Sequence, residues 1–320
     1  MTRLQMAILL IMTISLTSCL LPYAFSVSTE EPLTTIPYAN SHVATIQDID
    51  LHYQLYGPLE GDAPLVLLVH GLGASSASFS RTAEFLHAHG YTVMAVDLPG
   101  FGYSSRSSHF DHSQENRARF LWLLADEVGG SESVWHMVGH SMGGGTVAAM
   151  AVTEPDRVAS VMLIAGALED GSRLLSNLLL FPPLSRWTQL YLERSLITEK
   201  QVTKILETAY GRAAEEHEVA TYLEPLQLPG TARSLTRLVQ SARSVPLPLL
   251  ADLTMPIGAI WGEHDTVVPL QKAYDIHRYV EHLILHIIEG AAHIPMETHP
   301  TVTHLMLLDF IEAAERKILH

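Results

Sequence analysis

Apolar residues in this chain gather into short continuous runs separated by stretches of helical spacing. Leu65 to Val69, Thr92 to Val96 and Val134 to Val138 are such runs, as expected of strands covered on both faces of a sheet. Val158 to Ala165, Ile257 to Trp261 and Leu283 to Ile288 continue the set. Ser78 to His89, Gln114 to Glu127 and Met142 to Thr153 lie between or beside them with apolar positions at helical spacing. Alternation of this kind predicts βαβ units, hence an α/β fold with a mostly parallel central sheet flanked by helices. Ahead of it, Val43 to Ile49 and Leu51 to Tyr56 flank Asp48-Ile49-Asp50 and predict an antiparallel hairpin closed by Gly57-Pro58.

The pattern breaks in two places. Between about Leu168 and Leu250 it becomes helical and leucine-rich, punctuated by Pro182-Pro183, Pro225, Pro229, Pro246 and Pro248, which predicts a helical cap inserted into the sheet domain. The run Leu174-Leu175 and Leu178 to Phe181, with Trp187, suggests either an apolar or aromatic group in the pocket or ordinary packing among cap helices. At the other break, Arg3 precedes the apolar run Met6 to Met12, which continues towards Leu16 as a targeting signal does. Leu16-Thr17-Ser18-Cys19 resembles the bacterial lipobox, and Cys19, the only cysteine, stands where the lipid-acceptor thiol is needed. A secretory signal cut near Ala24 to Ser28 and an uncleaved anchor from about Met6 to Phe25 are the alternatives. The expected division is therefore 1–18 signal or anchor, 19–41 tether with Pro32 and Pro37, 42–167 core, 168–250 cap and 251–320 core. The expected place is the cell envelope, as a membrane-anchored lipoprotein, or secreted or periplasmic.

Composition narrows the chemistry. Of 320 residues 48% are hydrophobic and 17% charged, the make-up of a packed protein. A formal net charge of -15 without a basic stripe argues against nucleic-acid partners. His136 and His140 are four apart, but in a strand and turn that spacing does not share a helical face, so no metal site is expected.

Gly139-His140-Ser141-Met142-Gly143 follows an apolar run and opens a small-residue helix. Glycine at both ends of this turn lets the chain double back where a Cβ would clash, presenting the serine hydroxyl as a nucleophile. A hydroxyl needs a base, and His293 follows the last predicted strand. A carboxylate must then orient the imidazole. Asp265, in Gly262-Glu263-His264-Asp265, is the candidate, with Glu263 as local competitor and Glu169 or Asp170 as weaker ones.

From about His42 onward the chain resembles the α/β-hydrolase superfamily, especially its capped esterase and carbon–carbon-bond hydrolase branches. The matching residues are His70-Gly71-Leu72-Gly73, Asp97-Leu98-Pro99-Gly100-Phe101-Gly102-Tyr103-Ser104, the serine turn, Gly262-Glu263-His264-Asp265 and His293. The resemblance implies the chain order Ser, Asp, His and an oxyanion hole from the backbone N–H groups of Leu72 and Met142. It makes His70 and Asp97 scaffold, Asp97 tying down the Pro99-Gly100 turn and His70 bonding within the oxyanion loop. A serine hydrolase without cofactor is implied, acting on a small apolar or aromatic carboxylic ester or related carbonyl compound. Carbon–carbon-bond hydrolase, lactonase, acyltransferase and cofactor-free haloperoxidase share the constellation, and an envelope-associated binding protein without activity is the rival of a different class. Epoxide hydrolase and dehalogenase chemistry is disfavoured, since those branches use an aspartate nucleophile.

Overall fold

The protein, known from a computed structural model, is described over residues 3–31, 37–59, 61–169 and 173–318. One eight-stranded sheet has the order β1-β2-β4-β3-β5-β6-β7-β8. Its strands are β1 (Ser41–Ile46), β2 (Ile49–Tyr56), β3 (Leu65–Val69), β4 (Thr92–Val96), β5 (Trp135–His140), β6 (Val158–Ile164), β7 (Ile257–Gly262) and β8 (Ile284–Ile288). Strand β2 is antiparallel to β1 and β4, and all other pairs are parallel. The apolar runs are continuous because both faces are covered. Val66 and Leu68 of β3 enter one core layer, while Leu67 and Val69 enter the other.

Helices α2 (Ser80–Ala88) and α12 (Pro300–Ile318) cover the first layer, and α3 (Gln114–Gly129), α4 (Met142–Thr153) and α10 (Gln271–His277) the second. Between β6 and β7 lie α5 (Arg173–Leu179), α6 (Pro182–Tyr191), α7 (Glu199–Tyr210), α8 (Glu216–Leu226) and α9 (Thr231–Ser241). A short α11 (Pro295–Thr298) follows β8.

The first hairpin differs from its expected form. Ile46 pairs with Ile49, so the turn is Gln47-Asp48, with Gln47 at φ 57°. Both isoleucines are buried, and placing Ile49 in the turn would have taken it out of the core.

At the N-terminus α1 (Arg3–Leu20) runs into a 3₁₀ turn, Leu21–Ala24, with Cys19 part-exposed in its last turn. Among the described residues no helix is long and apolar enough to cross a membrane. The segment expected as a tether is attached over its first part. Val27 is buried, the Ser28 amide donates to Glu193 Oε1 at 3.0 Å, and Glu30 Oε1 accepts from the Arg106 amide at 2.6 Å. Pro32 lies outside the described residues.

Asp97 does more than hold its own turn. Fully buried at the end of β4, it accepts hydrogen bonds from the amides of Ser76 and Tyr103 (2.7 Å) and from His52 Nδ1 (2.7 Å), while His52 Nε2 lies 2.7 Å from Ser41 Oγ. Burial raises the pKa of this carboxyl, but the His52 hydrogen bond and charge, with His70 and the Ser76 amide, hold it below its usual range. Gly102, at φ 54°, is required here because a Cβ would fall 2.1 Å from the Asp97 carboxyl carbon. Ser41, His52 and Asp97 thus form a hydrogen-bonded chain whose ends are tied to the backbone, the Ser41 hydroxyl accepting from the Tyr38 amide at 3.2 Å and the Asp97 carboxylate from the Ser76 and Tyr103 amides. Its role is structural. Asp97→Ala is expected to cost about 3–5 kcal/mol by stranding buried donors, measurable by urea unfolding. A loss under about 1 kcal/mol would remove Asp97 from this structural role.

Candidate active site

Ser141 stands between β5 and α4 with φ 49° and ψ −119°. Such a conformation costs a non-glycine residue energy and survives only when its surroundings enforce it. Its amide donates to the Ile164 carbonyl at 2.9 Å, and its carbonyl accepts from the Gly144 and Ala167 amides, each at 2.9 Å. The turn's glycines are needed for close approach. A Cβ on Gly143 would lie 2.1 Å from the Val69 carbonyl oxygen, and one on Gly139 would lie 2.5 Å from that of Gly143.

His293, in the loop after β8, places Nδ1 2.8 Å from Asp265 Oδ2. Asp265 follows β7, and its Oδ1 accepts from the Val267 and Val268 amides, both at 2.9 Å. With both amides committed to Oδ1, Oδ2 is left to take Nδ1–H, so the tautomer that fits this contact has its lone pair on Nε2. The competing carboxylates face elsewhere. Glu263 accepts from the Gly290 amide at 3.2 Å and is exposed, and Glu169 pairs with Lys272. Asp170 lies outside the described residues.

Among the described residues no hydrogen bond joins Ser141 to His293. Contacts of this kind often tighten only when substrate binds. The two are brought together through His140, the variable residue of the serine turn. Its ring centroid is 4.8 Å from that of His293, and its Nε2 donates to the His293 carbonyl at 3.0 Å. Burial keeps His140 neutral, its pKa pushed well below the usual histidine value. The serine turn and the base loop are therefore braced to each other by a side chain that sequence reasoning considered only as a metal ligand.

The strand-end loop after β3 completes the site. Gly71 is packed so closely that a Cβ would lie 3.0 Å from Ser141 Cβ and 2.7 Å from His140 Nδ1. Beneath it the buried His70 donates from Nδ1 to the Gly71 carbonyl (2.7 Å) and accepts at Nε2 from the Leu98 amide (3.0 Å), which fixes its tautomer. Burial lowers its pKa, so the ring is a neutral brace. Leu72 follows with an exposed side chain, and Met142 is the first residue of α4. Among the described residues neither amide donates to a backbone carbonyl, the condition for N–H groups that serve a bound oxyanion.

A second cluster joins the base loop to the helices inserted after β6. The His293 amide donates to the Ala209 carbonyl at 2.8 Å. Four residues on, the Glu297 carboxylate accepts from the Tyr210 hydroxyl of α7 and, at 2.5 Å, from the Tyr222 hydroxyl of α8. Burial pushes Glu297 up to about 7, against the two tyrosine hydrogen bonds and Arg81, which lower it, with Glu218 adding to the rise. A carboxyl held above its usual value contributes stability in full below the ordinary glutamate range, and that contribution is lost as pH rises through about 7. Melting temperature should therefore fall across this window by the equivalent of about 3 kcal/mol, and Glu297→Gln should flatten that fall. Parallel pH profiles of the two proteins would rule out Glu297 as the titrating group.

An open pocket of about 220 Å³ lies beside the loop after β7, lined by apolar Leu168, Leu247 and Val268 and by charged Glu169, Lys272 and Asp275, and none of Ser141, Asp265 and His293 lines it. The leucines of the run that fits either a pocket lining or packing among helices do not line this one. Leu174, Leu175, Leu178 and Leu180 are 48–70% exposed.

Residues 64–300 match the family model described as alpha/beta hydrolase fold. The chain is 28% identical over 252 residues to the pimeloyl-[acyl-carrier protein] methyl ester esterase of Aliivibrio salmonicida, covering 77% of this chain and 91% of that protein. It is 26% identical over 293 residues to 2-hydroxy-6-oxononadienedioate/2-hydroxy-6-oxononatrienedioate hydrolase 1 of Dechloromonas aromatica, covering 85% and 96%. Among solved structures, a membrane phospholipase A superposes with a TM-score of 0.71 at 23% identity, over 98% of this chain and 99% of the other.

Proposed function

Because this chain belongs to the alpha/beta hydrolase fold family and is a hydrolase, we propose that it cleaves carboxylic esters through Ser141, His293 and Asp265. The observation that carries this reading is the 2.8 Å contact of His293 Nδ1 with Asp265 Oδ2, beside a serine held at φ 49°. Ser141 Oγ attacks the ester carbonyl carbon as His293 Nε2 takes its proton. Negative charge on the carbonyl oxygen is met by the Leu72 and Met142 amides, each donor contributing about 3 kcal/mol. The imidazolium, stabilised by Asp265, protonates the departing alkoxide, and the acyl group stays on Ser141. Water, deprotonated by the same histidine, then releases the acid.

The test is to treat the full chain with a fluorophosphonate and locate the adduct. One phosphonyl group on the Ser141 peptide is expected, and a fully active protein that takes up no label would exclude this mechanism. Similarity to a 2-hydroxy-6-oxononadienedioate hydrolase favours cleavage of a carbon–carbon bond beside a ketone as the second reading. Rates on p-nitrophenyl esters compared with a vinylogous 1,5-diketone separate the two.

A further inference from the structure

Helices α5 and α6 carry large apolar side chains that face solvent. Leu174, Leu175, Leu178, Phe181, Trp187 and Tyr191 are 38–70% exposed, more than scattered surface residues explain. The surface continues onto the N-terminal segment, because Trp187 Nε1 donates to the Ser18 carbonyl at 3.0 Å and Arg186 donates to the carbonyls of Pro22 and Phe25. Leu16, Leu20 and Tyr23 beside these contacts are 53–61% exposed.

Charge gives the face its direction. The chain has a formal net charge of -15, yet residues 3–29 and 173–192 contain no Asp or Glu and do contain Arg3, Arg173 and Arg186. Of the acidic groups that flank these stretches, Glu193 accepts from the Ser28 amide, Glu30 accepts from the Arg106 amide and Glu169 pairs with Lys272. Leucine with Trp and Tyr, bordered by arginine and free of carboxylates, is the composition of a surface seated at the boundary of headgroups and acyl chains. Anionic headgroups attract such arginines, whereas a second copy would set the same arginines against each other.

We propose that α5, α6 and the segment ending at Phe25 together form a face that docks on a bilayer containing anionic lipid. The proposal is independent of the ester chemistry. On such a surface α1 and the inserted helices are held by one interface, and the face of α6 enters the headgroup region with Trp187.

Trp187 makes this measurable, since Trp122, Trp135 and Trp261 are buried. The full chain is mixed with phosphatidylcholine–phosphatidylglycerol vesicles whose phosphatidylcholine carries brominated acyl chains. Fluorescence should fall by the share of roughly one tryptophan in four, and Trp187→Phe should abolish the fall. The double variant Leu174→Asp/Leu178→Asp, altered only at exposed positions, should lose the quenching while keeping wild-type rates on a soluble ester. An unquenched wild type, or a double variant quenched as strongly as wild type, would overturn the proposal. So would a wild-type dimer in light scattering that the double variant abolishes without any vesicle quenching, which would assign the face to a second copy.

Discussion

Ser141→Ala is expected to reduce ester turnover on the order of 10⁶-fold with the fold intact. The serine backbone, not its hydroxyl, makes the contacts that hold the turn: the amide bonds Ile164, and the carbonyl bonds Gly144 and Ala167. Alanine keeps these bonds and loses only the nucleophile. The strained φ of 49° costs alanine about what it costs serine, so the melting temperature should move by no more than a few degrees. Steady-state rates and thermal unfolding on the same preparation check both halves. Turnover above roughly a hundredth of wild type would remove Ser141 from the nucleophile's role.

Asp265→Asn is expected to slow the chemical step by about 10⁴-fold while leaving KM nearly unchanged. The hydrogen bonds explain why so conservative a change is severe. Oδ1 accepts from the Val267 and Val268 amides and Oδ2 faces His293 Nδ1. An asparagine in this place keeps its oxygen towards the two amides and turns its NH₂ to the imidazole. Nδ1 must then accept, the ring proton moves to Nε2, and the atom that should receive the serine proton already carries one. Glu263→Gln serves as the contrast, since the exposed Glu263 carboxylate faces the Gly290 amide and His264 rather than His293. Pre-steady-state acylation rates on an activated ester measure the difference. If Glu263→Gln is the damaging change and Asp265→Asn is mild, the acid assignment fails.

Because local rules generate them, the sheet and its mostly parallel order are legible in the chain. A strand covered on both faces is a continuous apolar run, and β3, β4 and β6 fall where such runs stand. The serine turn is legible because its glycines are demanded by distances under 3 Å that any side chain would violate. Similarly, the carboxylate and histidine that follow β7 and β8 can be picked out by their places at strand ends.

Contacts between residues far apart in sequence were not legible. His52 and Asp97 lie on β2 and just beyond β4, and only the antiparallel pairing of those strands brings them to 2.7 Å. The joining of Glu297 to Tyr210 and Tyr222 is decided by how α7 and α8 pack on the base loop, which no spacing encodes. The leucines of α5 and α6 make the same point. Their sequence states that they are apolar, but whether an apolar side chain is buried depends on what lies opposite it. Among the described residues most of them face solvent, so a run that fits a pocket or a packed interior is instead an exposed face. Sequence by itself determined the elements, the serine turn and the residue types at the strand ends, because these follow from local sterics and periodicity. Tertiary structure alone decided which polar groups meet and which apolar groups stay exposed, because both depend on packing between segments that the chain keeps distant.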